Sequence, residues 1–262
     1  MKRETGDYPA AAASHQQAFA IFRDIGHRLG QALATGNLGT LQFWIGDYPA
    51  AAASLAQALG MYRDLGDRLG QASATANLGE VQARMEDHPA AAASLAQALG
   101  MFRDLGDRRG QAICTGNLGA LQLRIGDYPA AAASLAQALA IYGELGDRGG
   151  EAGVLNDLGE MMARSGDGLW ARDHHARALA IAQEIGAPLE EARALEGIGH
   201  CLLQDGHPDD GAAHLQQALA IYERIGAPDA QRIQESLRQC GITTALPPPS
   251  GESRQPGAPT AL

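Results

Sequence analysis

Alanines and larger apolar residues recur along most of this chain at helical spacing, in stretches bounded by glycine. From Pro49 to Asp64, the positions Leu55, Ala58, Leu59 and Tyr62 fall three or four residues apart, which puts them on one face of a helix. The next stretch, to about Met85, turns Ala72, Leu78 and Val81 inward in the same way. Pro49 suits a first helical turn, where its missing N–H costs nothing. Asp47 just before it can cap the free amides. Gly66 can end the helix in the left-handed conformation, and Asp67 can cap the helix that follows. Each helix would be about 16 residues long, or roughly 24 Å.

The pattern returns every forty residues, the mark of a solenoid. Gly6, Gly46, Gly126, Gly166 and Gly206 hold one slot, with Glu86 in the place where a glycine is missing. Asp follows at 7, 47, 87, 127 and 167, and Pro at 9, 49, 89 and 129. A second glycine divides each unit at Gly26, Gly66, Gly106, Gly146, Gly186 and Gly226. The reading is an all-α solenoid over residues 1–241 with about twelve helices. The first would cover about 9–24, the last about 228–239, and five helix pairs lie between. The chain begins on the second helix of a pair, and the first helix resembles its internal copies rather than a polar cap. The expectation is therefore that this chain belongs to a longer protein. Residues 242–262 are rich in Pro, Ser and Gly and read as a disordered tail.

Charge narrows the function classes. A net charge of −10 and a pI of about 5.2 argue against direct binding of nucleic acid and against adhesion to anionic membranes. Cys114, Cys201 and Cys240 lie far apart with no C-x-x-C spacing, so neither a disulfide framework nor a zinc site is expected. The start of the chain lacks the apolar core of a signal peptide, and the expected location is the cytoplasm. No phosphate loop or nucleophile elbow is present. His174 and His175 are adjacent, so their rings point to different faces, and His200, His207 and His214 are divided by the break at Gly206. No catalytic residue, metal or cofactor is expected.

Leu38-Gly39, Leu78-Gly79, Leu118-Gly119 and Leu158-Gly159, with Ile198-Gly199, resemble the Leu-Gly pair in the first helix of the tetratricopeptide repeat (TPR). Ala51, Ala91, Ala131 and Ala171, with Ala58, Ala98, Ala138, Ala178 and Ala218, match the small positions of its second helix. The resemblance spans about residues 6–240. It departs at the family's early Trp position, held by Thr35, Thr75, Thr115, Leu155 and Leu195, and in its forty-residue unit. That longer unit resembles the arrays of kinesin light chains and LGN-like adaptors. It also resembles the C-terminal arrays of actinobacterial AfsR and STAND-type regulators. The resemblance implies a right-handed superhelix of antiparallel helix pairs that binds proteins or peptides.

It also implies that the first helix of each pair lines a concave groove. On that helix, positions four, seven and eleven residues apart share a face. Two ladders follow: Asn37, Asn77 and Asn117, continued by Asp157; and Arg84, Arg124 and Arg164. An Asn side chain both donates and accepts, so it can pair with one peptide unit of an extended chain. Arg offers a fork to carboxylates. Trp44 is the aromatic residue of this face. Asn before Leu-Gly can equally serve backbone groups between helices, and Arg near a helix C-terminus is favoured by the helix dipole alone. The leading expectation is a peptide-binding scaffold. A sensor arm of a larger bacterial regulator is the alternative, and self-association through the end helices is a third reading.

Overall fold

The computed structural model describes residues 8–239, so Cys240 and the tail at 242–262 lie outside the described residues. Twelve helices are described: α1 (Tyr8–Asp24), α2 (Arg28–Trp44), α3 (Tyr48–Leu65), α4 (Arg68–Arg84), α5 (His88–Leu105), α6 (Arg108–Arg124), α7 (Tyr128–Leu145), α8 (Arg148–Ser165), α9 (Gly168–Ile185), α10 (Pro188–Gln204), α11 (Pro208–Ile225) and α12 (Asp229–Gln239). The expected boundaries agree with these to within one residue or so.

The punctuation works as its chemistry suggests. Asp47, Asp67, Asp87, Asp107, Asp127 and Asp147 each accept a hydrogen bond from the amide three residues on, satisfying one free N–H at a helix start. Asp167 makes no such side-chain bond. Gly66 closes α3 with φ of 69°. Glu86, in its glycine slot, also adopts a positive φ, of 64°.

Each helix packs on its neighbours in sequence, and the repeated small residues explain how closely. Ala51, Ala58, Ala91, Ala98, Ala131 and Ala138 are fully buried. A Cβ at Gly79 would lie 2.8 Å from Leu95 Cγ, so the Leu-Gly pair leaves room for the leucine of the next helix. A Cβ at Gly70 would lie 2.3 Å from the Tyr62 ring, so each such glycine seats the aromatic residue of the helix before it. The threonines at the family's Trp position are buried and return a hydrogen bond to the carbonyl four residues back, as Thr75 does to Gln71 at 2.7 Å. The Gln71 amide in turn donates to the Tyr62 carbonyl at the end of α3.

Successive even-numbered helices touch one another from α2 to α10, and no odd-numbered pair packs to the same degree. The even helices therefore form the inner wall of the stack and the odd helices the outer one. Among the described residues, no helix is long and apolar enough to cross a membrane.

Candidate functional groove

The inner wall carries the predicted ladders, and the seams between even helices are where they meet. At the α2–α4 seam a cleft of about 190 Å³ is lined by Thr40, Phe43, Trp44, Leu55, Asn77, Glu80 and Val81. Two of the predicted residues, Trp44 and Asn77, thus converge from different units. Trp44 is 36% exposed and meets Phe43 edge-on, with ring centroids 5.6 Å apart. Asn77 Nδ2 lies 3.4 Å from Thr40 Oγ1, a long hydrogen bond across the seam. Arg84 lies over the Phe43 ring at 5.8 Å, so a third predicted residue borders the same cleft. Asn37 is exposed on α2, and Asn117 is half-buried on α6.

The other predicted residues are partly committed to the scaffold. The Arg124 guanidinium donates to the Ala83 carbonyl at 2.9 Å, which ties α6 to the C-terminal end of α4. Arg164 pairs with Glu160 one turn back at 2.6 Å. Asp157 is bridged to Arg193 of α10 at 2.5 Å, and Arg193 also holds Glu190 at 3.1 Å. The fourth rung of the Asn ladder is therefore an inter-unit ion pair. Arg84, Arg124 and Arg164 all remain exposed along the groove.

Burial sets the electrostatics. It raises the Glu80 carboxyl above its ordinary range, against the pull of Arg84 and Arg124. Burial alone would lower the Arg193 guanidinium, but Glu190 and Asp157 outweigh it and hold the charge in place. Burial alone would raise Glu196 too. His200, 3.7 Å away, and hydrogen bonds from Arg232 and Tyr222 overcome it and bring the carboxyl down to about 2. His175 is buried and shifted down to about 4, chiefly by desolvation, with Arg193 adding to it. Cys114 and Cys201 are buried free thiols. Among the described residues no three His, Cys, Asp or Glu side chains converge in a way that could hold a metal ion.

The helix-face spacing puts Thr40 and Glu80 on the groove face without giving them a role, and sequence reasoning missed Phe43 and the buried place of His175. Phe43 is next to Trp44 and looks like a core residue. His175 stands in the register position of Leu55, Leu95 and Leu135, a departure that aligning the units does expose.

Paired helices stacked in forty-residue units around an inner groove define an α-solenoid of repeat type. The tetratricopeptide repeat profile matches residues 1–64, 70–144 and 150–224, and the chain belongs to that family. No curated protein sequence matches it. Among solved structures, BtubC (BKLC) from P. vanneervenii is 18% identical with a TM-score of 0.64, over 97% of this chain and 99% of that one. NprR in complex with its cognate peptide NprX is 13% identical with a TM-score of 0.74, over 89% of this chain and 67% of that one. A Signal Transduction ATPase with Numerous Domains (STAND) protein with a tetratricopeptide repeat sensor, from Pyrococcus horikoshii, is 15% identical with a TM-score of 0.66. That match spans 85% of this chain and 33% of the other. At these identities the likeness is one of fold.

Proposed function

We propose that this protein is a non-catalytic cytoplasmic scaffold whose inner groove holds an extended peptide segment of a partner protein. The observation that carries this reading is the α2–α4 cleft, where Trp44 and Asn77 converge beside Arg84. Asn37, Asn77 and Asn117 pair with peptide units, Trp44 anchors one end, and Arg84, Arg124 and Arg164 meet acidic side chains of the ligand. Residues 1–241 form the binding unit and 242–262 an appended tail. The fold shared with NprR, solved with a peptide, supports the reading.

The test is an affinity pull-down from native extract with mass-spectrometric identification, comparing wild type with Asn37→Ala/Asn77→Ala/Asn117→Ala. A partner retained by wild type and lost by the triple variant is the expected result. A partner that both retain moves the interface off the groove.

One observation favours a second reading, a sensor arm of a larger regulator. The STAND sensor shares this fold. An immunoblot of native cells decides: a band near 27.3 kDa rejects the second reading, and a much larger polypeptide supports it.

A further inference from the structure

One buried register position separates the fourth unit from the others. α3, α5, α7 and α11 place Leu55, Leu95, Leu135 and Leu215 there, each essentially buried. α9 places His175, which is 4% exposed. Leu55 lines the α2–α4 cleft, so this position forms the floor of an inner seam. Three units on, the same seam lies between α8 and α10. His175 is its floor, Gly197 stands where Asn77 stands, and His200 stands where Glu80 stands.

The hydrogen-bond pattern fixes what the imidazole presents. Asn156 is 1% exposed, and its Nδ2 donates to the Glu190 carbonyl at 3.1 Å and to the Glu190 carboxylate at 3.0 Å. Two acceptors on one side orient the amide, so its Oδ1 faces His175 Nδ1 at 3.2 Å. An amide oxygen only accepts, so Nδ1 carries the proton of the neutral ring and Nε2 is left as a lone-pair acceptor. Among the described residues nothing hydrogen-bonds Nε2. It lies at the tip of the ring, wedged between two glycines of the inner wall. A Cβ at Gly159 or Gly197 would fall 2.6 or 2.3 Å from it. Arg193, Glu196, His174 and His200 are the charged and titratable neighbours of the ring, and burial keeps it neutral near pH 7.

An acceptor without a protein partner, standing between α8 and α10 at the seam of the groove, is open to a donor from a ligand. We infer that the α8–α10 seam is an acceptor subsite, in which His175 Nε2 takes a backbone N–H from an extended peptide. The inference rests on the groove reading above. It adds direction to it: the Asn rungs donate and accept, whereas this position only accepts. A peptide that puts proline or an N-alkylated residue there is rejected.

The experiment uses peptides selected against the full chain from a random dodecamer display library. Each backbone N–H of the selected peptide is then N-methylated in turn, and binding is read by calorimetry. His175→Leu restores the residue of the other units, so the variant keeps the fold. It is expected to lower affinity about tenfold, the size of one hydrogen bond. One N-methyl position should cause the same loss in wild type and none in the variant. Nitrogen-15 spectra of the free protein should show His175 protonated at Nδ1. Wild-type affinity in His175→Leu, together with loss of binding in the Asn triple variant, overturns this inference and leaves the groove reading standing. A ring protonated at Nε2 also overturns it. A library that yields no binder, or a binder indifferent to the Asn triple variant, overturns both.

Discussion

Replacing Glu86 by glycine should stabilise this protein, and the reason lies in one backbone angle. Glu86 is the only non-glycine residue among those described with a positive φ, at 64°. Its counterparts Gly46, Gly126, Gly166 and Gly206 have φ of 81–88°. A Cβ at any of those glycines would meet nothing within 4 Å, so the slot does not select glycine for space. What selects glycine is the left-handed conformation, which strains an L-residue by roughly 1–2 kcal/mol. The looser unfolded chain of a glycine takes back roughly 0.5–1 kcal/mol. Glu86 is exposed, and among the described residues its carboxylate makes no hydrogen bond or ion pair, so the substitution removes no contact. The net gain for Glu86→Gly is about 1 kcal/mol, or a rise of about 2–4 °C in Tm for a chain of this size. Urea denaturation followed by far-ultraviolet circular dichroism reads it, and Gly126→Glu should move the midpoint the other way by a similar amount. A Glu86→Gly protein no more stable than wild type refutes the reasoning, since relief of that strain is the only stabilising term invoked.

Three further outcomes follow from packing and protonation. Gly79→Ala should destabilise by about 1–3 kcal/mol, because its methyl would meet Leu95 Cγ at 2.8 Å and the Leu95 backbone nitrogen at 3.2 Å. Unchanged stability would show that α4 and α5 can separate freely. His175, held down to about 4 from an ordinary 6.5, takes up a proton more readily in the unfolded chain, so stability falls as pH drops from 6.5 towards 4, by about 3 kcal/mol in all. His175→Leu should flatten that part of the stability–pH curve; a slope equal to that of wild type assigns it elsewhere. Glu196, at about 2, contributes stability that is complete above its ordinary 4.5 and lost as pH falls towards 2. The stability gap between wild type and Glu196→Gln should therefore close across that window, and a gap constant with pH would mean that Glu196 acts by packing alone.

The sequence by itself determined the helices and their order. Aspartate caps, glycine stops and apolar spacing act within one helix or one turn, so their geometry is local. The forty-residue period then extends one unit to the next, and the buried alanines and the Leu-Gly pairs were legible because every copy repeats the same close approach. The convergence of Trp44 and Asn77 was only half legible. Each was visible on its own helix face, but the distance between them depends on how α4 lies against α2. The same inter-unit geometry gives Arg124 to the Ala83 carbonyl and Asp157 to Arg193, where periodicity suggested uniform rungs. His175 shows the limit most clearly. Its register is plain in the sequence, but its tautomer is set by Asn156 and Glu190, which lie nineteen residues before it and fifteen after it and meet only when α8, α9 and α10 pack. Short-range interactions are encoded by neighbouring residues, whereas partners a whole unit apart are chosen by the angle and spacing at which the helices stack.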